Sequence, residues 1–271
     1  MFAIAKTRLY RRILLALCGT LLAGIAAVSV QASDLETVEQ RGTLRVAVPQ
    51  DFPPFGSVGT DLQPQGYDID MARYLADQMG VGLKLVTVTS ANRIPFLQTD
   101  KVDLVISSLG KNPERAAVID FTDAYAPFFL GVFGTPDAAP INDPAGLSGK
   151  TIGVTRGSVE DMELSELAPD DATLQRFEDN ATTISAFLSD QVDYIATGNV
   201  VAAQIAERNA ERAPTMVFRI KNSPCYIGLS QDNDALKSRV NELIARAKED
   251  GTLETMSQQW FHTSLPDDLS S

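Results

Sequence analysis

The chain has 271 residues, 44% hydrophobic and 21% charged, an ordinary globular balance that allows one or two domains. Asp and Glu outnumber Lys and Arg by 35 to 23, a formal net charge of −12. That excess argues against nucleic acid or an anionic membrane surface as partner, and it makes any local cluster of cations informative.

Residues 1–32 stand apart. Lys6, Arg8, Arg11 and Arg12 form a basic segment without an acid, Ile13 to Val30 is apolar apart from small residues, and Val30-Gln31-Ala32 fits the small-residue rule for cleavage after Ala32. This is the pattern of a secretory signal peptide. A retained anchor fits less well, because Gly19, Gly24 and Ser29 interrupt the run; lipid attachment at Cys18 fits poorly, because Leu17 precedes it and apolar sequence follows. No later stretch is long and apolar enough to cross a membrane, so the mature chain is expected to be soluble and exported. Only Cys225 then remains, which rules out an intrachain disulfide, and the core must hold by burial alone, for which the length suffices.

The first half reads as alternating strands and helices. Asp34 to Arg41 is a short polar helix ending at Gly42, and Thr43 to Val48 is a strand. Phe52-Pro53-Pro54-Phe55 is a proline-fixed loop with two aromatics. Asp68 is the expected N-cap of a helix whose apolar positions (Ile69, Ala72, Leu75, Ala76, Met79) recur at helical spacing until Gly80. Leu83 to Val88 is a second strand, Asn92 to Gln98 a short helix with Pro95 in its first turn, and Val102 to Ile106 a third strand. This order predicts an open parallel sheet.

The stretch from Lys101 to Tyr125 carries the densest chemistry. After the strand come Ser107-Ser108, a turn at Gly110-Lys111-Asn112-Pro113, and a helix start with Glu114 and Arg115. Helix-start N–H groups flanked by Lys111 and Arg115 make an anion site, and a guanidinium can hold a carboxylate with two parallel bonds. The competing reading makes Arg115 a surface charge paired with Glu114 or Asp120.

Pro136, Pro140 and Pro144 then mark a loop after the apolar run Phe128 to Phe133. Beyond Gly149 the pattern restarts with strands at 151–154, 174–177, 192–196 and 216–220 and helices at 159–167, 182–188 and 200–208. Cys225 to Leu229 is another strand. Asn233 to Lys248 is an amphipathic helix, and Leu253 to Phe261 is a last helix with Trp260. The expected fold class is α/β: two open α/β domains joined by a two-strand hinge. Residues 33–128 and 226–271 form a discontinuous first domain, 129–225 the second, and the chain crosses near 126–132 and 221–226. Ligands of such sheets bind outside the strand C-termini. The loops there are 52–55, 90–93, 107–115, 156–160 and 197–199, with the cations Arg93, Lys111, Arg115 and Arg156.

The segments GTLRVAV with PPF, GYDIDMARYLA, NRIPFLQTDKVDLVISSLGKNPERAAVIDFTDAY, LSGKTIGVTRGSVED and AKEDGTLETMSQQWF resemble, in order, the polar amino-acid solute-binding proteins of ABC importers, family 3, with the type II periplasmic-binding fold. The resemblance implies an aromatic stacked on the ligand at Phe52. It implies an α-carboxylate held by Ser108 and Arg115, beside Ser107, and by Ser158 after Gly157. Ser90 and Arg93 resemble the pair that holds the side-chain carboxylate in glutamate and aspartate binders. Three positions depart from the family pattern. Gly110 stands where most members have Ser or Thr, Lys111 replaces an apolar residue, and Gly198 replaces the Asp that receives the ligand's ammonium. Glu160, Asp161 or Asn199 are the candidate substitutes for that acid, and Lys111 and Arg156 read equally well as solvated charges. Phe55 reads as loop packing and His262 as a surface residue; a lone His without neighbouring ligands suggests no metal. No cofactor is expected.

The function expected is a periplasmic receptor that closes on a polar, acidic amino acid and presents it, as a monomer, to permease subunits in the inner membrane. The alternatives are a lyase or dehydratase of a prephenate- or arogenate-type acid, for which Lys111 and Glu160 are the nameable proton-transfer groups, and a receptor for a non-amine organic acid. A sensor module would need a membrane helix and an output domain.

Overall fold

The computed structural model describes residues 34–266 and 269, all within one compact unit; the signal-peptide segment, its cleavage site and Cys18 lie outside the described residues. The chain enters through helix α1 (Asp34–Arg41) and strand β1 (Thr43–Val48). Three very short strands, β2 (Asp51–Phe52), β3 (Gly56–Val58) and β4 (Pro64–Gln65), make a small antiparallel sheet where the sequence suggests only a loop. Pro53 and Pro54 sit in the turn between β2 and β3, so they remove no ladder donor.

Helix α2 (Tyr67–Met79) buries Ile69, Met71, Ala72 and Leu75 and ends at Gly80 in the left-handed conformation. Its N-cap is Gly66, not Asp68. Asp68 already has helical geometry, and its side chain points into the core instead of back to the helix start. Strand β5 (Gly82–Thr87), helix α3 (Arg93–Gln98) behind a one-turn 3-10 segment, and strand β6 (Leu104–Gly110) follow. Every residue of β6 is buried. The strand runs through Ser107-Ser108 to Gly110 because Cys225 and Tyr226 pair with its last two residues. Helix α4 is only Pro113–Ala116, and Asn112 Oδ1 already accepts from the Arg115 N–H. The expected anion site at that helix start is thereby reduced to a single turn with one donor occupied.

Strand β7 (Asp120–Ala126), whose polar Thr122 and Asp123 hide it in the sequence, completes the first half. The chain then crosses to a second sheet built from β8 (Phe129–Gly134), β9 (Thr151–Thr155), helix α5 (Val159–Leu167), β10 (Thr173–Phe177), α6 (Asn180–Leu188), β11 (Tyr194–Gly198), α7 (Asn199–Arg208) and β12 (Thr215–Asn222). It returns at β13 (Cys225–Leu229) and ends with α8 (Asp234–Glu249) and α9 (Thr252–Phe261). Sheet order is β5-β1-β6-β13-β7 in the first sheet and β10-β9-β11-β8-β12 in the second. Neither is wholly parallel. β13 runs antiparallel to β6 and β7, and β8 antiparallel to β11 and β12, because each crossing delivers its strand head-to-tail into the sheet it joins. Among the described residues no helix is long and apolar enough to cross a membrane.

The terminal helices fasten onto the first sheet. Leu236, Val240, Leu243 and Ile244 of α8 are fully buried, the Trp260 Nε1–H donates to Asp70 Oδ2 at 2.8 Å, and Phe261 stacks on Tyr67 with centroids 4.5 Å apart. The two crossings touch: Ser223 N donates to Phe128 O at 3.0 Å. The Phe128 ring meets Phe55 edge-on at 5.3 Å, so the aromatic loop after β1 packs against the first crossing.

Candidate ligand-binding site

The C-terminal ends of the two sheets meet at a partly enclosed cavity of about 20 Å3, roughly the room of one water. Of the residues singled out in the sequence, Phe52, Ser90, Arg93, Ser108, Gly110, Ser158 and Glu160 line it.

The first wall is built on β6 and the start of α3. Arg93 is 4% exposed, and its Nε–H donates to Ser107 Oγ at 3.0 Å. Ser107 therefore supports the guanidinium from behind. Burial pushes the Arg93 guanidinium below its ordinary range, opposed by the nearby Glu160, Asp68 and Asp51 charges. Ser108 has φ of +40°, an uncommon backbone for a non-glycine residue, and its N–H donates to Asp68 Oδ2 at 2.8 Å. The other Asp68 oxygen accepts from the Tyr125 hydroxyl at 2.5 Å. Burial pushes the Asp68 carboxyl up to about 7, although both hydrogen bonds and Arg93 favour the ionised form. Asp68 was not among the residues singled out for the site; its signal in the sequence was an acid at an apolar-facing helical position with no local basic partner. Phe52 stacks on Phe55 at 6.0 Å and faces the cavity, while Phe55 itself is fully buried behind it.

The second wall is the loop from β9 into α5. Gly157 has φ of +72°, and a Cβ there would lie 3.0 Å from Ala91 Cα of the first wall, so both conformation and close approach require glycine. Ser158 caps α5 by accepting from Asp161 N at 3.1 Å. Asp161 itself accepts from Gly157 N and from Arg176 Nε, and Asn199 accepts from Phe129 N. Of the three candidate substitutes for the missing acid, then, Glu160 alone lines the cavity. It is 6% exposed, and burial raises its carboxyl above the ordinary range, countered by Ser158 and by the Arg93 and Arg115 charges.

Other expected residues lie elsewhere. The Arg115 guanidinium is 4% exposed and donates to two backbone carbonyls, Gly110 O and Gly157 O, each at 2.8 Å. It thus bridges the two walls, facing an open depression of about 300 Å3 beside Ile94, Val118 and Met162 instead of the cavity. Burial and the Arg93 charge lower it to about 9. Lys111 is exposed, its ammonium 5.8 Å from the Phe121 ring centroid. Arg156 pairs with Glu178 at 2.8 Å, with both side chains largely in solvent. Gly198 is closed off: a Cβ there would lie 1.7 Å from Phe128 Cζ, so the phenyl ring occupies the place of any side chain at 198.

Sequence reasoning missed Phe128, Thr155, Asn180 and Ser223; Thr197, from the strand-end loop 197–199, lines the cavity too, and Leu130, Val159 and Ala196 complete the lining. Asn180 carries a further link between the walls. Its N–H and Nδ2 donate to the two oxygens of Asp51, at 2.8 and 3.2 Å, so an acid of β2 meets the start of α6, whose own N-cap is Asp179, across the walls.

The chain matches the family described as bacterial extracellular solute-binding proteins, family 3, over residues 44–263. It is similar to the L-cystine-binding protein TcyJ of Escherichia coli, 24% identical over 89% of this chain and 91% of the relative. It is also similar to the glutamine-binding protein GlnH of Bacillus subtilis, 26% identical over 96% of both chains. Among solved structures, the ancestral amino acid-binding protein AncCDT-1, a precursor of cyclohexadienyl dehydratase, superposes with a TM-score of 0.78 at 31% identity, covering 84% of this chain and all of that one. With a two-sheet α/β architecture, a cavity at the facing strand ends and a family match over nearly its whole described length, the chain belongs to the family 3 bacterial extracellular solute-binding proteins.

Proposed function

We propose that this protein is the extracytoplasmic receptor of an ABC importer for a polar α-amino acid, exported by cleavage after Ala32 and acting as a monomer on permease subunits in the inner membrane. The observation that carries the reading is the pairing of Arg93 and Glu160. One buried cation and one buried acid, from opposite walls, line the same hydroxyl-rich cavity. A zwitterion supplies the complementary carboxylate and ammonium, with Arg93, Ser90, Ser108 and Ser158 facing the first and Glu160 the second. The names of the relatives, binders of cystine and glutamine, support the same ligand class.

A cavity the size of a water cannot admit an amino acid, so loading requires the walls to part and close again. The hinge of this proposal is the pair of crossings tied by Ser223 and Phe128, and the moving bodies are residues 33–128 with 226–271 and residues 129–225. The acidic ligand expected from the sequence needs a second cation. Arg115 supplies one only by giving up its two carbonyls, so a ligand with balanced charge is the preferred form. The missing acid at 198 does not argue for a non-amine ligand here, because Glu160 takes over the ammonium. The dehydratase reading loses its proposed pair, since Lys111 lies outside the cavity that Glu160 lines, and proton transfer needs both groups within reach of one substrate.

Titration calorimetry with L-arginine, L-glutamine, L-cystine, L-glutamate and L-aspartate, alongside succinate and prephenate, checks the reading. Binding of at least one amino acid without turnover is expected. Heat only from the non-amine acids, or steady product release from prephenate, would remove it.

A further inference from the structure

The second crossing places a hydroxyl in the cavity that no described residue uses. Ser223 is 4% exposed and lines the cavity, its backbone N–H is spent on Phe128 O, and its Oγ is buried without a hydrogen-bond partner among the described residues. A buried hydroxyl left unpaired costs free energy, so one retained at a cavity wall marks a position whose partner arrives from outside.

Its neighbour explains the composition of the first wall. A Cβ at Gly110 would lie 2.6 Å from Ser223 Oγ and 3.0 Å from Val159 Cγ2. Any side chain at the end of β6 would therefore displace the Ser223 hydroxyl. Gly110 is not in the left-handed region, so the glycine serves space, not backbone conformation. The bare strand end and the hydroxyl of the crossing form one arrangement, in which the polar group stands on the segment between the two sheets and not on either sheet.

We propose that Ser223 is a ligand-binding and specificity-determining residue, its Oγ–H donating to an oxygen of the bound amino acid in the space that Gly110 leaves open. The proposal rests on the receptor reading above. Because Ser223 sits on the crossing itself, the same bond ties the ligand to the segment about which the walls close.

The experiment compares wild type and Ser223→Ala by calorimetry with L-arginine, L-glutamine, L-cystine, L-glutamate and L-aspartate, and by thermal unfolding without ligand. The expected result is affinity for the best-bound probe weakened about 3- to 30-fold, with the ligand-free unfolding temperature unchanged or raised, since the variant removes an unpartnered buried hydroxyl. A purely structural serine would instead lower that temperature. Wild-type binding that Ser223→Ala leaves unchanged, or a lowered ligand-free unfolding temperature, would overturn the assignment alone. Silence of the wild type toward every probe would overturn the receptor reading and this assignment with it.

Discussion

The two walls of the cavity solve different problems. On the first, polar side chains are held by their own half of the molecule: Arg93 by Ser107, the Ser108 backbone by Asp68, and Asp68 in turn by Tyr125. On the second, Ser158 caps α5, the Asp161 carboxylate is taken up by Gly157 N and Arg176, and Glu160 is left facing the cavity. The cation is therefore held by a hydrogen bond within its own wall, whereas the acid stands at a helix start on the other. In the proposed mode of binding, a zwitterion between these opposite charges satisfies both. With the closure proposed above, a cation held on one wall and an acid brought up on the other would favour tight binding.

The largest effect expected is from removing the fixed cation. Arg93→Ala strips the only guanidinium among the lining residues and removes the larger of the two cationic charges that favour ionised Glu160, so calorimetry should show binding weakened by about 2–5 kcal/mol. Affinity unchanged by this variant would mean that the first wall does not hold the carboxylate at all.

The next effect concerns what holds that wall together. The folded Asp68 carboxyl is raised to about 7, against an ordinary value near 4 in the unfolded chain. Between these values the folded state carries the extra proton, so stability falls as pH rises from about 4 to about 7, by an amount on the order of 4 kcal/mol in full. Asp68→Asn removes this share of the slope while its amide still meets Ser108 N and Tyr125 Oη. Denaturant unfolding at a series of pH values should give a flatter profile for the variant in that window; an identical slope would show that Asp68 titrates normally. On the opposite wall, Glu160→Gln keeps the shape and removes the charge. Amino-acid affinity should drop by about 1.5–3 kcal/mol, while the deaminated analogue of the same ligand is affected less, which is how calorimetry separates an ammonium contact from a general loss.

Much of the framework was legible because it rests on local physics. β1, α5 and β13 end at the residues their patterns indicate, since apolar runs bounded by Gly, Pro or a capping Ser leave little choice. What was hidden depends on pairing and on space. β7 carries polar residues that only its partner β13 makes sense of, and the extension of β6 through Ser107-Ser108 exists because Cys225 and Tyr226, far along the chain, complete its ladder. In the site, Arg93 and Glu160 could be picked out as charges at strand ends. Ser223 could not, because its meaning lies in the volume beside Gly110, and the closure of position 198 lies in the ring of Phe128. Side-chain space at a meeting of three segments leaves no periodic trace in any of them.

Arg115 sharpens the comparison most finely, because the sequence assigns it to the ligand and the folded chain gives it to both walls. If its guanidinium grips the carboxylate, Arg115→Ala should cost about 2–5 kcal/mol of affinity, most for ligands with an acidic side chain. In the arrangement observed, the bond to Gly110 O stays within the first wall and the bond to Gly157 O reaches the second, so the proposed closure would make only the latter. The variant then loses a single charge-assisted hydrogen bond of the closed form, about 1.5 kcal/mol, and loses it equally for every ligand. Since the closed state is what releases slowly, the change should fall on the dissociation rate and leave association nearly untouched. Stopped-flow fluorescence of Trp260, which is anchored on Asp70 of the first half, offers a readout if it senses closure; labelled cysteines placed on the two walls give the same rates independently. A uniform, modest rise in dissociation supports a latch between the walls, and a large loss confined to acidic ligands would return Arg115 to the cavity.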